Sequence, residues 1–418
     1  MIFNRRYQRI LRIALPAQVG TLTYNGQAQS PVWQDFDRNK MTISGVASST
    51  NAGTFTATFT PKSGYCWEDG SRDAKNVIWS IDKAAGSLNL SAASAAINIS
   101  ALTKTIIVTR AGDGAITATS SNTSVATVSV SGTTVTITGK NNGSATITVS
   151  VAAGTNHTAP TSKTISVTAD LPSRTLADCT PAQIQATARA GQAPNWWNVG
   201  DKVPIKLSGT VGALTLNDTY YAFILGFNHN SSIEGNNTIH FQFGKTADGT
   251  DIAFVDSKYN NGGSSTGFRM NTSQSVSGGW KSSYMRNTIC SSFLHTLPTE
   301  WQNIITFCTK YTDNVGDRTE AAGNVSATLD KIWILAAYEM GARNFAHSAE
   351  PNYQEPYMYY RINGREKKKH NDTTARSMHW SRSIVAGNST FAMCSGSGSF
   401  GSFSANWSLG FSPGFMVA

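Results

Sequence analysis

The residues of this chain whose types and spacing carry chemistry gather at its end. From Ile384 to Ala418 there is no Asp, Glu, Lys, Arg or His, and Ser, Gly, Phe, Asn and Trp dominate. Such a segment works by contact rather than by proton transfer. Aromatic rings supply rigid area at low entropic cost, and Ser, Gly and Asn supply adaptable hydrogen bonding, as in evolved binding loops. The contact candidates are Asn388, Ser389, Phe391, Met393, Ser395, Ser397, Ser399, Phe400, Ser402, Phe403, Ser404, Asn406, Trp407, Leu409 and Phe411. Their ring faces suit stacking on pyranose rings and their Asn and Ser edges suit sugar hydroxyls. The same groups suit a protein surface, and the sequence does not choose between the two. The other account is a set of Gly/Ser-rich loops closing an ordinary β-sheet. It leaves Phe400, Phe403 and Trp407 unexplained, since loop tips are normally polar.

Elsewhere the chemical constellations are thin. There is no H-E-x-x-H, G-x-S-x-G or P-loop motif. His229, His240, His295, His347 and His379 are scattered, and Glu300 and Glu339 read as isolated helix-surface carboxylates. No catalysis, metal or cofactor is expected. Cys66, Cys179, Cys290, Cys308 and Cys394 form an odd set without a C-x-x-C pair and read as reduced thiols. A net charge of +9 comes from dispersed basic residues rather than the aromatic-interleaved stripe of a nucleic-acid binder, so no nucleic-acid partner is expected. Two basic runs stand out, Arg5 to Arg12 and Arg365 to His370. They read as a solvated terminus and a solvated loop; the sharper alternatives are an anchor to a larger particle and contact with an anionic cell-wall polymer. No stretch has the length and apolarity of a bilayer span, and Pro16, Gln18 and Gly20 interrupt the start before a signal-peptide core appears. The expectation is a product made in a cytoplasm, without membrane insertion.

The elements that must position the closing segment belong to a mainly β, multidomain chain. At 418 residues it exceeds one growing core, and with 14% charged residues it favours short strands and polar turns. Residues 1–13 are read as a basic anchor, 14–84 and 85–170 as β-sandwich modules, and 171–418 as an α+β domain. In the first module, alternation puts Phe55, Ala57 and Phe59 on one face. In the second, runs such as Thr134-Val135-Thr136-Ile137-Thr138 repeat that grammar. After Leu171-Pro172-Ser173-Arg174, Thr180-Pro181-Ala182-Gln183 offers an N-cap, a first-turn proline and a capping-box Gln, with Gly191 as the stop. Met285, Ile289 and Phe293 predict a helix over 282–294, and Trp301, Ile304, Ile305 and Cys308 predict another from Pro298. Strands are expected at 203–207, 220–227, 238–243 and 331–335.

Local motifs carry resemblances. Tyr24-Asn25-Gly26, Asn51-Ala52-Gly53-Thr54, Trp67-Glu68-Asp69-Gly70 and Trp79-Ser80-Ile81 resemble an Ig-like repeat of phage and bacterial surface proteins. Ser124-Val125-Ala126-Thr127-Val128 and Gly143-Ser144-Ala145-Thr146-Ile147 resemble the bacterial Ig-like family of tandem modules. Trp197-Asn198-Val199-Gly200-Asp201, Gly279-Trp280-Lys281-Ser282, Asp330-Lys331-Ile332-Trp333-Ile334, Trp380-Ser381-Arg382-Ser383 and Gly410-Phe411-Ser412-Pro413-Gly414-Phe415 occur in order. Together they resemble a C-type-lectin-like family of gut bacteria and their phages, whose closing strands are similar to the variable proteins of diversity-generating retroelements. In that family an Arg usually precedes the proline; Ser412 stands there, which puts a structural ion pair at that spot in doubt. Trp380, Arg382 and Phe415 read as framework.

The resemblance implies a homotrimeric bacteriophage adhesin on the virion surface, on tail or capsid. It would join other virion proteins through its N-terminus and bind a host or mucus surface glycan or protein. It also implies a mechanism of diversification, because adenine-directed mutation of Asn codons yields such mixtures of Asn, Ser, Gly and Phe. A structural capsid or tail decoration protein is the alternative. Glu350-Pro351-Asn352 followed by Asn371-Asp372 is similar to the calcium-binding residues of calcium-dependent lectins. Calcium takes about six to eight oxygens. A lysine run precedes the pair, and His370 stands where a Trp is usual, so these residues read as a polar turn. The same fold hosts an oxidase family with paired cysteines, a pair that Cys290, Cys308 and Cys394 do not place by spacing.

Overall fold

The computed structural model describes residues 9–259, 267–385 and 388–418. The chain divides into two compact units, Met1–Leu171 and Pro172–Ala418. It is mainly β and multidomain.

In the first unit, strands Leu22–Thr23, Lys75–Asp82, Gly53–Pro61 and Met41–Gly45 form one sheet in that order, and the pairs Ala17–Val19 with Val32–Gln34 and Leu11–Ile13 with Tyr65–Trp67 complete the first module. The expected alternation is present: Ala57 and Phe59 are fully buried, and half-buried Phe55 lies 4.7 Å from Trp79 between ring centroids. Each core indole N–H finds a carbonyl, Trp79 on Val46 at 2.8 Å and Trp67 on Asp73 at 2.8 Å, which removes the cost of burying it unpaired. Of the segment read as an anchor, residues 1–8 lie outside the described residues. Leu11–Ile13 instead pairs in parallel with Tyr65–Trp67 and puts Ile13 into the core, because its apolar side chains have a sheet edge to join.

The second module is two four-stranded sheets. One has the order Ser94–Asn98, Lys163–Asp170, Gly143–Val151, Ile116–Ser120; the other has Ala126–Ser131, Thr134–Gly139, Thr103–Ala111, Ser87–Leu90. Period-two burial of Ile147, Val149, Ile165 and Val167 against Ile106, Val108, Val135 and Ile137 makes the core. At Gly139 a Cβ would lie 2.6 Å from Ile97 Cγ2, so only glycine permits this approach.

The second unit is built on a sheet in the order Lys202–Val211, Leu214–Phe227, Ile239–Lys245, Pro413–Val417, Ile305–Thr306, with Trp333–Ile334 also paired to the closing strand. The C-terminal strand is thus central, and Phe241 and Phe415 stack within it at 5.1 Å. The helix Pro181–Arg189 has the expected capping box. The segment read as one helix over 282–294 is a short helix Gly279–Ser282, a π-helical turn Met285–Cys290 and a last turn Ser291–Leu294, with Met285, Ile289 and Phe293 buried as expected. The helix from Pro298 stops at Ile304; Ile305 starts a strand and Cys308 lies in another, Cys308–Asp313. The apolar run at 331–335 yields only Trp333–Ile334. Lys367–Lys369 is not a solvated loop but the middle strand of a three-stranded sheet, with Lys367 buried against the rings of Phe223 and Tyr360. All five cysteines are free and buried. Among the described residues no helix is long and apolar enough to cross a membrane.

Candidate functional site

The closing segment forms an antiparallel sheet of His379–Ile384, Thr390–Cys394 and Phe400–Ser404, continued by 405–411 toward the central strand. Its register sets Phe391 opposite Phe403, Ala392 opposite Ser402 and Cys394 opposite Phe400. The middle strand is covered on both faces, so Phe391, Ala392, Met393 and Cys394 are buried whichever way they point. The third strand has neighbours on one side only among the described residues, and all five of its residues are half-exposed.

This geometry sorts the fifteen contact candidates. Asn388, Ser389, Ser397 and Ser399 are exposed. Ser395, Phe400, Ser402, Phe403, Ser404, Asn406 and Trp407 are half-exposed. Phe391, Met393, Leu409 and Phe411 are core, which corrects their reading as contacts. Phe411 is held by backbone hydrogen bonds to and from Phe254 at 2.9 and 2.8 Å, its ring 5.5 Å from Phe268, and Leu409 N–H donates to the Phe268 carbonyl at 3.0 Å. Nor do the accessible residues form one face. Phe400, Ser402 and Ser404 share one side of the strand, where Phe400 packs 5.8 Å from Phe345, and Phe403 lies on the other. There Phe403 stacks on Trp407 with centroids 4.2 Å apart and planes 26° apart. Two large rings stacked on each other, each still partly open to water, are the site's main apolar feature.

Behind this sheet lies a buried ion cluster that the sequence did not reveal. Arg382 donates to both carboxylate oxygens of Glu339, at 2.6 and 2.9 Å, and to the Ile334 carbonyl at 2.8 Å. Lys310 donates to Glu234 at 2.8 Å, Glu339 at 3.1 Å and the Tyr357 hydroxyl at 2.8 Å. Glu339 is therefore wholly buried and not a helix-surface residue, whereas Glu300 is exposed as expected. Burial alone would raise both carboxyls, but their partners outweigh it: the Lys310 ammonium and a hydrogen bond with His229 hold Glu234 at about 2, and Arg382 and Lys310 hold Glu339 lower still. Ser412 makes no ion pair; its carbonyl accepts from Gln242 at 3.3 Å, and Arg382 supplies the guanidinium of this core. Trp380, Arg382 and Phe415 are framework, all buried.

Two of the dispersed histidines meet here. His229, Glu234 and His240 bring ligand-type atoms within 4.8 Å of one another. The Lys310 ammonium already supplies the positive charge beside Glu234, so the donor set fits an ion cluster rather than a metal centre. Burial pushes His240 down to about 3. Glu350 is spent on protein donors: Thr312 at 3.0 Å, Ser383 at 2.7 Å and Gln354 at 3.2 Å, while Asp372 caps Thr374 at 2.6 Å. A cue for Lys310 existed in the alternation Cys308, Lys310, Thr312, which places a charge on the inward face of a strand.

Residues 84–169 match the family described as bacterial Ig-like domain (group 2), and residues 255–418 match one described as a domain of unknown function, DUF6273. No curated protein sequence matches the chain. Among solved structures, domains 4 and 5 of the S-layer protein SbsC are similar at 20% identity and TM-score 0.20, over 37% of this chain and 98% of that one. A C-terminal 282-residue fragment of intimin, in complex with the translocated intimin receptor's intimin-binding domain, is similar at 14% identity and TM-score 0.20, over 44% and 80%. Invasin, a bacterial integrin-binding protein, is similar at 11% identity and TM-score 0.19, over 96% and 93%.

Proposed function

We propose that this chain is a virion-displayed bacteriophage adhesin whose C-terminal unit, a C-type-lectin-like domain, binds a host-cell or mucus surface ligand without catalysis. The observation that carries the reading is the stacked, half-exposed Phe403–Trp407 pair within a segment free of charge and rich in Ser and Asn. Aromatic anchors surrounded by adaptable polar groups are the usual seat of binding energy. The split between core and accessible positions supports diversification by a retroelement, since Ser397, Ser399, Ser402 and Ser404 can change without disturbing packing, while Phe391 and Phe411 hold the frame. A homotrimer would multiply a weak single-site affinity by avidity, and the Ig-like modules would hold the binding unit away from the particle surface.

The test compares the full chain with an F403S/W407S variant on mucin-coated surfaces and on intact gut bacteria. At least a tenfold loss of binding by the variant, at an unchanged melting temperature, is expected. Equal binding by both proteins, or none by the wild type, refutes the reading. Sequencing the gene across particles of one lineage adds a second check. Substitutions confined to adenine-bearing codons between Asn388 and Phe411 support diversification, and a uniform gene leaves a fixed binder or a decoration protein.

A further inference from the structure

We infer that the ligand is a neutral oligosaccharide, held jointly by the Phe403–Trp407 pair and by a charge-free polar cleft over residues 271–288. This rests on the reading of the closing segment as a binding face. The cleft encloses about 420 Å³, within the span of small-ligand sites. Every residue lining it carries a hydroxyl or an amide and none is charged. Asn271 shapes the wall, donating to the Ser275 carbonyl at 2.7 Å and accepting from the Tyr284 N–H at 3.1 Å. Ser283 does the same through the Trp280 carbonyl at 2.9 Å. The hydroxyls of Thr272, Ser273, Ser282, Tyr284 and Thr288 line the opening.

One backbone hydrogen bond ties the cleft's wall to the segment that carries the ring pair. Asn271 N–H donates to the Ala405 carbonyl at 2.9 Å, and Ala405 lies two residues from Phe403 and two from Trp407. A sugar chain needs both kinds of surface: a flat apolar face for the C–H side of one ring and a row of donor-acceptor hydroxyls for the next. A phosphorylated or acidic ligand would need cations, and among the described residues the cleft's lining holds none. Arg269 approaches, but its guanidinium lies over the Tyr284 ring, 5.6 Å from the centroid.

The experiment probes the full chain on immobilised neutral hexo-oligosaccharides, their sialylated and sulfated counterparts, and a protease-treated host surface, at low and high salt. Expected is binding to neutral oligosaccharides that changes less than twofold with salt, since no ion pair is screened. It should fall at least tenfold in W407S and, separately, in T272W and S273W, which fill the cleft at exposed positions. A loss in W407S with full binding in both cleft variants overturns the cleft while leaving the binding face standing. Stronger, salt-sensitive binding to the acidic sugars, or binding abolished by protease alone, overturns the neutral-glycan assignment while leaving the face standing. Absence of binding to every surface defeats this inference and the reading beneath it together.

Discussion

Lys310 has no exposure, and its ammonium is shared by Glu234, Glu339 and the Tyr357 hydroxyl. Removing one partner of a buried ion pair leaves an uncompensated charge, at a cost of about 3–5 kcal/mol. Lys310→Met is therefore expected to lower the melting transition of the second unit steeply, read by calorimetry of the full chain; a shift within error would show that the cluster is not an energetic support. The same residues set a pH dependence. Glu234 sits at about 2, below its ordinary 4.5, so its contribution is complete above that ordinary value and is lost as pH falls toward 2. His240 is kept neutral in the fold down to about 3, whereas the unfolded chain protonates it near 6.5, so acid favours unfolding across that interval. Both groups bind more protons unfolded, and stability must decline with falling pH from about 6.5. Melting temperatures at pH 7, 5.5 and 4 check this; His240→Gln should flatten the upper part of the slope, and a flat wild-type profile would contradict the assignment. None of these partnerships was legible in the sequence. Arg382 is 43 residues from Glu339, and no local spacing rule links a carboxylate to a guanidinium that distant.

At the scale of elements, what decides a residue's role is whether its strand is covered on one side or two. The strand Thr390–Cys394 lies between two others and is packed on both faces, so a period-two pattern does not separate its contacts from its core. The neighbouring strand Phe400–Ser404 stays half-open throughout. Phe391→Ala is accordingly expected to cost about 3–5 kcal/mol, while Ser402→Ala at the half-open edge should stay within about 0.5 kcal/mol. Denaturant titration of both variants measures this, and similar values for the two would mean the middle strand is not core. Signals confined to a few neighbouring residues were legible. The Thr180 and Gln183 capping box and the inward set Phe55, Ala57 and Phe59 depend only on local geometry. The stretch from Pro298 was not, because Trp301, Ile304, Ile305 and Cys308 fit a helical stripe equally well. Pairing of Ile305 and Thr306 with Val417 and Met416 draws the chain into the central sheet, and that competitor lies more than a hundred residues away.

At the scale of the molecule, the first unit joins two sandwiches whose independence or rigidity decides whether it can serve as a strut. One loop of the second module, residues 153–158, reaches onto the first. Asn156 accepts from the Ala52 N–H at 2.8 Å through its side chain and from the Ala84 N–H at 2.9 Å through its carbonyl. Lys83 donates to the Gly154 carbonyl at 2.6 Å, and His157 meets Tyr24 edge to face at 5.3 Å. Thr158 N–H returns a bond to the Ala84 carbonyl at 2.9 Å, so the connection is gripped from both sides and not merely tethered. A single hydrogen bond contributes only about 1 kcal/mol, but these act together on one short loop. Asn156→Ala removes the side-chain bond to Ala52 while leaving the carbonyl bond to Ala84 in place. Hydrogen exchange on the full chain should then show the Ala52 amide exchanging about tenfold faster, with the Ala84 amide and the core amides of both modules unchanged. If the Ala52 amide already exchanges as freely in the wild type, the two modules hinge at this junction, which would count against the proposed spacer role of this unit.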